Sequence, residues 1–308
     1  MRERFYKILT FLAEMCGPWL FIWSARVIAA GYFVLFPGRT MGSMRFYRAL
    51  FPGRNRFYYL SCAWRQFQSF TSVFLDRYLL NDPGAITFSF EGREHLYKAL
   101  REGQGGILLM THIGNWEVGA RQLRRSIPNF RLMLFMGRRS GDQIEQLQKE
   151  DLAASGIRII AADPNDPSPF DLLEAVGFIK SGGFVSMAGD VVWHRDQRTI
   201  AAGMLGHAVR LPEAPFMLAL VSGAPLYIFF AASTGPRQYH FCVSPPVRVQ
   251  AGARAHRRPA IAHAAQVYID RIEEQLRRSP FEWYHFESFL GAAVQAGDSG
   301  LESVEKIA

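Results

Sequence analysis

The sequence predicts an α/β fold in which helices flank a mostly parallel central sheet, with an aromatic-rich helical segment in front of it. Short apolar runs alternate with helical stretches over residues 85–290, an order that is typical of a parallel sheet. Residues 1–84 lack that alternation and carry much of the aromatic content, which is 14% of the chain. Residues 291–308 are small and polar. We therefore expect a helical N-terminal segment, one α/β domain and a flexible tail.

The predicted elements follow from the spacing of apolar residues. In helices these residues recur every three or four positions, whereas in buried strands they form continuous runs. A first helix at 54–80 should end at the Asn-Asp-Pro-Gly sequence of residues 81–84, which breaks helices. After it we expect strands at 106–110, 131–135, 157–161, 183–188, 225–231 and 239–243. Helices are expected at 115–125, 141–154, 168–180, 214–221 and 259–278.

The N-terminal segment has the composition of a membrane anchor. Its apolar pieces at 15–25 and 27–36 are separated by Arg26, and each is too short to cross about 30 Å of hydrocarbon. Basic and Trp residues flank both pieces, as they do in segments that lie in the membrane interface. The two pieces could also form one spanning helix if Arg26 snorkels or packs against protein, and a helix buried in the core is the third possibility. We predict membrane attachment here.

Charge and composition exclude several classes of protein. The formal charge is +8, which suits anionic lipid, an acidic protein or nucleic acid. Zinc-finger spacing, an RNP-like aromatic box and repeats are lacking, so we expect no nucleic-acid partner. The three cysteines, Cys16, Cys62 and Cys242, provide no disulfide framework and favour a reducing compartment. Histidine spacing lacks a metal-ligand pattern, and dinucleotide and P-loop fingerprints are missing, so we expect neither a metal nor a cofactor.

The stretch from Thr111 to Glu117, T-H-I-G-N-W-E, is the most informative pattern in the chain. An apolar strand ends at His112, Gly114 permits a tight turn, and a helix follows. His112 therefore lies at the carboxyl end of a strand, where open α/β sheets bind ligands. Across the turn, the Glu117 carboxylate could accept the Nδ1 proton of His112 and leave Nε2 as a base. A helix-capping histidine is the alternative that spacing alone leaves open.

Such a pair suits the removal of a proton from a hydroxyl that attacks an activated carbonyl. Backbone amides at the start of the helix could stabilise the oxyanion that develops. The chemistry indicated by the residues themselves is therefore acyl transfer or hydrolysis.

The same stretch resembles the H-x4-D/E signature of glycerolipid-type acyltransferases. It is most similar to the T-H-x-G-N-W-E form of the lipid A biosynthesis (lauroyl/myristoyl) acyltransferase family. The likeness covers about residues 85–285. It continues at Asp190, where relatives carry a P-D-Q turn and this chain has Gly-Asp-Val, and at the P-x-x-W pattern from Pro280 to Trp283.

The resemblance implies a membrane-associated enzyme at the cytoplasmic face of the bacterial inner membrane. It implies transfer of a fatty acyl chain from acyl carrier protein or acyl-CoA to a hydroxyl of a membrane lipid. His112 would be the general base and Glu117 the acid that orients it. The residues that we expect to bind substrate are Asn115, Arg138, Arg139 and Asp190.

Departures from the family pattern leave the acceptor lipid open. Many relatives carry an Arg-rich helix where this chain has Gln-Leu-Gln-Lys-Glu at 146–150, and the basic ending of relatives is also replaced. Arg138 and Arg139 could instead grip a phosphate bidentately, with a solvated basic turn as the equal alternative. The acceptor is lipid A-like or another envelope lipid. Two other functions are considered: a non-catalytic lipid-binding protein on the same fold, and an acyl-thioester hydrolase.

Overall fold

The computed structural model describes residues 18–79, 86–137, 152, 156–162, 169–193 and 196–294. Its helices are α1 (Pro18–Leu35), α2 (Pro37–Leu50), α3 (Arg56–Ser69), α4 (Thr71–Leu79), α5 (Arg93–Arg101), α6 (Trp116–Ser126), α7 (Pro169–Lys180), α8 (Ala214–Ser222) and α9 (Arg257–Arg278). Its strands are β1 (Thr87–Glu91), β2 (Gly106–Gly114), β3 (Leu132–Gly137), β4 (Arg158–Ala162), β5 (Phe184–Ala188), β6 (Thr199–Met204), β7 (His207–Pro212), β8 (Leu226–Gly235) and β9 (Gln238–Val243). A short 3-10 turn, Arg254–His256, precedes α9.

A seven-stranded sheet forms the centre of the molecule, in the order β1-β9-β8-β2-β5-β3-β4. The strands from β8 to β4 are parallel, β9 is antiparallel to β8, and β1 is parallel to β9. β6 and β7 form a separate antiparallel hairpin. The prediction of an α/β fold with a mostly parallel sheet flanked by helices is confirmed.

Most predicted elements appear with their ends shifted by a few residues. All six predicted strands are present, as are the helices expected at 115–125, 168–180, 214–221 and 259–278. The sequence analysis missed β1, β6 and β7. The helix predicted at 141–154 lies outside the described residues, apart from residue 152.

The single helix predicted at 54–80 is wrong, because α3 and α4 are separated at Phe70. Thr71 Oγ1 donates to the carbonyl of Gln68, and Ser72 Oγ donates to the carbonyl of Ser69. Side-chain hydroxyls that bond to backbone carbonyls compete with the helical pattern and bend helices. The apolar spacing continues through the break, so periodicity alone could not reveal it.

The sheet is buried on both faces, as parallel sheets generally are. Successive residues of β2 alternate between two cores: Ile107 and Leu109 belong to one cluster, and Leu108 and Met110 belong to the other. The first cluster includes residues of α2, α3, α7, α8 and α9, and the second includes residues of α5 and α6. β2 is therefore held firmly from both sides, and its carboxyl end is fixed relative to the strands beside it.

Helix α1 packs on α3 and α4 but exposes much of its apolar surface. Trp23 is 65% exposed, Val34 72% and Leu35 74%, so α1 is not the buried N-terminal helix considered from the sequence. Among the ranges described above, no helix is both long and apolar enough to cross a membrane. An anchor in the membrane interface stays a prediction.

The chain after α9 returns to the body of the protein. Gly291 N donates to the carbonyl of Ala208, and Val294 N donates to the carbonyl of Gly206. These bonds attach the first residues of the expected tail to the β6–β7 hairpin. Residues 295–308 lie outside the described residues, and the domain boundaries at 84 and 290 stay predictions.

Candidate functional site at the carboxyl end of β2

Gly114 makes the tight junction between β2 and α6 possible. Its φ is +72°, and an added Cβ would lie 1.9 Å from the carbonyl oxygen of Ala231 on β8. A left-handed backbone favours glycine, and the close approach to β8 excludes any side chain. The junction therefore has a fixed shape that places the end of β2 beside the start of α6.

Asn115 caps α6 in this structure. Its Oδ1 accepts hydrogen bonds from the backbone N–H of Glu117 at 3.2 Å and of Val118 at 3.3 Å. Asn115 is buried, and its Nδ2 is 3.5 Å from the carbonyl oxygen of Val73 on α4. Two of the amides that the sequence analysis made available to an oxyanion are thus occupied by Asn115. Contact of Asn115 with substrate stays a prediction.

His112 meets Asp190, which the sequence analysis placed among the substrate-binding residues. β2 and β5 are parallel neighbours in which Met110 pairs with Ala188, so His112 and Asp190 each lie two positions beyond this pair. Asp190 Oδ1 is 2.8 Å from His112 Nδ1, and Asp190 Oδ2 is 2.8 Å from the backbone nitrogen of His112. The carboxylate therefore holds both the ring and the backbone of His112.

Glu117 has a different partner from the one predicted. The hydrogen bond to His112 Nδ1 was assigned to Glu117, but the structure gives it to Asp190. Glu117 is buried and its Oε1 lies 3.1 Å from Nη2 of Arg121, one turn along α6. The physical reason lies in the sheet: Asp190 follows the strand that pairs with β2, whereas α6 packs in the core on one face of that sheet. A catalytic role for Glu117 stays a prediction.

The environment of Asp190 keeps this carboxyl ionised. Asp190 is fully buried, and its Oδ2 also accepts a hydrogen bond from Trp283 Nε1 at 3.0 Å. Burial opposes ionisation, but the charge and hydrogen bonds of His112 outweigh it and lower the pKa of Asp190 to about 2. An ionised carboxylate can only accept hydrogen bonds, so the proton of neutral His112 is on Nδ1. Nε2 is then the unprotonated ring nitrogen, the one with the basic lone pair.

The segment after α9 forms one wall of the site. Trp283 makes an antiparallel bridge with Ile113, the backbone nitrogen of Tyr284 donates to the carbonyl of His112 at 2.9 Å, and Gly114 N donates to the carbonyl of Glu282 at 2.8 Å. Next in the chain is His285, whose pKa is lowered by burial. The sequence analysis used Trp283 only as part of the family resemblance and did not predict its contact with Asp190.

A buried polar layer joins this wall to the N-terminal helices. The Glu282 carboxylate accepts hydrogen bonds from Ser69 on α3 and from the Tyr284 hydroxyl. Burial raises the pKa of Glu282 above its ordinary value. Nearby, the buried Asp76 of α4 accepts a hydrogen bond from Tyr239 on β9, and burial raises the pKa of Asp76 as well. The helices of the N-terminal segment are thus bonded to the wall of the site and to β9.

Of the other residues predicted to bind substrate, Arg138 and Arg139 lie outside the described residues. Their proposed contact with a phosphate therefore stays a prediction. The structure brings together His112, Asp190 and Trp283, and it adds His285 to their surroundings.

Comparisons with known proteins agree with the geometry of this site. The family model described as bacterial lipid A biosynthesis acyltransferase matches residues 80–289, which include the β2–α6 junction, Asp190 and Trp283. The chain is also similar to a phosphatidylinositol mannoside acyltransferase of Mycobacterium tuberculosis, at 24% identity over 195 residues. That match covers 63% of this chain and 57% of the relative, so it spans little more than half of the relative's length.

The capping role of Asn115 can be tested by its effect on stability. Replacing a capping Asn by Ala costs about 0.5–2 kcal/mol, so Asn115→Ala should lower the free energy of unfolding by about this amount in chemical denaturation. Asn55 is the matched control, because its side chain caps α3 through Tyr58 N at 2.8 Å. Asn55→Ala should show a comparable loss. Unchanged stability in Asn115→Ala would contradict the capping role.

The low pKa of Asp190 predicts a pH-dependent contribution to stability. The folded-state pKa of about 2 lies below the ordinary value of 3.8, so ionised Asp190 stabilises the protein above about pH 4 and this contribution disappears as the pH falls through about 2. The difference corresponds to roughly 2 kcal/mol. Asp190→Asn should therefore lower the free energy of unfolding by about that amount at neutral pH.

The measurement is chemical denaturation of both proteins at several pH values between about 7 and 2. The difference between wild type and Asp190→Asn should shrink below about pH 4. Asp196→Asn, which changes a carboxylate at an exposed position, is the control and should have little effect at any pH. A difference that stays constant down to about pH 2 would show that ionisation of Asp190 is not the cause.

Proposed function

Since the chain belongs to the bacterial lipid A biosynthesis acyltransferase family, we propose that it transfers a fatty acyl chain from an acyl thioester to a hydroxyl of a membrane lipid. The observation that carries this proposal is the contact between His112 Nδ1 and Asp190 Oδ1 at 2.8 Å. A buried carboxylate thus orients an imidazole, with its proton on Nδ1, at the carboxyl edge of a parallel sheet. That is the edge at which open α/β sheets bind ligands.

The proposed reaction follows from the protonation states of this pair. His112 Nε2 takes the proton of the acceptor hydroxyl as the hydroxyl oxygen attacks the thioester carbonyl. Asp190 stabilises the imidazolium that forms, as the carboxylate of a serine protease triad does. The tetrahedral intermediate then expels the thiolate, which receives the proton from Nε2. The acyl chain passes directly to the lipid, and the steps use no covalent acyl-enzyme intermediate, metal or cofactor.

The finer parts of the proposal are the donor, the acceptor and the place of reaction. The donor is acyl carrier protein or acyl-CoA, and the site is the cytoplasmic face of the bacterial inner membrane. The relative from Mycobacterium tuberculosis is named for a phosphatidylinositol mannoside, which supports a lipid carrying sugar as the acceptor. Lipid A-like and other envelope lipids both fit this description.

The N-terminal helices support docking to an anionic lipid surface. Between residues 15 and 75 the sequence has seven arginines and no acidic residue, and all seven arginines are exposed. Apolar side chains are exposed among them, with Phe57 at 81% and Trp64 at 40%. Basic and aromatic residues together are typical of surfaces that lie on anionic lipid. We propose that α1–α3 form the membrane-facing surface.

The catalytic proposal is tested with a labelled acyl thioester and membrane lipid extract. The wild type should produce labelled lipid, and His112→Ala should reduce its formation by about 10²–10⁴-fold, as expected for loss of a general base. Asp190→Asn should cause a loss of similar order, because the imidazole then lacks its orienting carboxylate. Glu117→Gln keeps the shape of the side chain and should lower activity less than Asp190→Asn does.

Three outcomes would contradict parts of this proposal. A greater loss in Glu117→Gln than in Asp190→Asn would return the orienting role to Glu117. Free fatty acid as the main product, whether or not lipid is added, would identify a thioester hydrolase. Lipid binding without any product would identify a non-catalytic lipid-binding protein. Folding of each variant is checked by circular dichroism.

The membrane proposal is tested by flotation with vesicles of phosphatidylglycerol and phosphatidylcholine. Each basic residue near an anionic surface contributes about 1 kcal/mol, so the double variant Arg54→Gln/Arg56→Gln should bind anionic vesicles about tenfold or more weakly. The control is Arg254→Gln/Arg257→Gln, which removes the same charge at the start of α9. The opposite end of α9 is the one near α2, because the Tyr47 hydroxyl donates to the carbonyl of Pro280. This control should bind as wild type does. Equal losses in both variants would contradict a localised surface.

A further inference from the structure

The Asp190 carboxylate faces three hydrogen-bond donors, and one of them belongs to the segment after α9. Oδ1 faces His112 Nδ1, whereas Oδ2 accepts both the backbone N–H of His112 and the indole N–H of Trp283. The terminal torsion of Asp is broad, so each hydrogen bond to this carboxylate restricts its rotation. The indole N–H is a second donor to Oδ2 and thereby helps to fix the plane of the carboxylate.

Trp283 is itself held firmly. Its side chain is buried, and its ring contacts Phe46 of α2 and Phe289, with centroids 5.0 Å and 4.9 Å away. Its carbonyl oxygen accepts a hydrogen bond from Gln66 Nε2 of α3, and its backbone pairs with Ile113. The position of the indole N–H is therefore determined by three separate parts of the fold.

The hydrogen bond of the indole N–H explains why a tryptophan is at position 283. A purely apolar contact at this position could be made by Phe or Leu, whereas a buried indole requires an acceptor for its N–H. Here the acceptor is an ionised carboxylate, and hydrogen bonds to ionised groups are roughly twice as strong as neutral ones. The other titratable groups around Asp190 are His112, His285 and Tyr268, and the Tyr268 hydroxyl donates to the carbonyl of Met110 instead.

We propose that Trp283 is a positioning residue that orients Asp190 through its indole N–H and so keeps the proton of neutral His112 on Nδ1. Trp283 does not touch the reacting atoms, and it acts through the carboxylate. The kinetic consequence rests on the proposed acyl transfer, whereas the effect on the His112 tautomer does not.

The kinetic test uses two replacements that remove the N–H. Trp283→Phe keeps an aromatic ring, and 3-benzothienylalanine at position 283 keeps the bicyclic shape with sulfur in place of N–H. Loss of a hydrogen bond to a charged group corresponds to about a 10- to 100-fold fall in kcat. KM for the acyl thioester should stay within about threefold of wild type, since an interaction that favours the transition state is lost.

A double-mutant cycle separates positioning from general packing. If Trp283 acts through the Asp190 carboxylate, Trp283→Phe in the Asp190→Asn background should lower kcat by no more than about twofold, because coupled residues are not additive. An equal fall in both backgrounds would show that Trp283 only supports the fold and would overturn the proposal.

A measurement without turnover distinguishes failure of this inference from failure of the proposed function. In protein labelled with 15N-histidine, the ring nitrogen shifts of His112 report which nitrogen carries the proton. Wild type should show the Nδ1–H form at high pH, whereas Trp283→Phe and the benzothienyl variant should shift toward the Nε2–H form that a neutral histidine side chain prefers in water. Phe289→Leu, which alters packing on Trp283 but keeps the indole N–H, should retain the wild-type signature.

The outcomes of this measurement are decisive without an assay. A benzothienyl variant with the wild-type tautomer would overturn the positioning role of Trp283, whatever the enzyme does. A tautomer change in a protein that transfers no acyl chain would support the role of Trp283 and contradict the proposed function.

Discussion

The parallel pairing of β2 with β5 is the constraint on which the site depends. Because Met110 lies opposite Ala188, the two chains run side by side at this point, and His112 meets Asp190 two residues later. A buried carboxylate is costly unless hydrogen bonds satisfy it, and here His112 and Trp283 do so. The register of the strands, the burial of Asp190 and its ionised state therefore depend on one another. A register shift would leave an unpaired charge in the core.

Local sequence patterns predicted most of the fold and the position of His112, but they did not predict the hydrogen-bond partner of His112. Continuous apolar runs identified the buried strands because each β-strand between two cores must be apolar on both faces, and the turn at Gly114 was visible from its residue type. The partner of His112 was not visible, because Asp190 is 78 residues away and strand order is set by long-range pairing. Glu117 was assigned the role because it is near in sequence. β1, at the sheet edge with alternating exposure, gave too weak a pattern to be recognised.

The N-terminal helices are part of the site's framework as well as a separate surface. Gln66 on α3 donates to the carbonyl of Trp283, and Ser69 on the same helix donates to Glu282. Both bonds are made inside the protein, where an unpaired polar group would cost about 1–3 kcal/mol. The wall that carries the indole N–H is therefore bonded to α3, and the α/β domain with its site is not independent of the segment that precedes it.

Helix α3 joins the two properties that a lipid acyltransferase needs. One of its faces carries buried Cys62 and Gln66 against the core, and another exposes Phe57, Trp64 and Arg65. Because a helix is a rigid element, lipid bound along the exposed face, as proposed above, would be held at a set distance from the wall of the site on the other side. A soluble hydrolase has no use for such a surface, whereas an enzyme whose acceptor never leaves the bilayer must place its base within reach of it. The arrangement of α3 thus favours transfer to lipid over release of free acid.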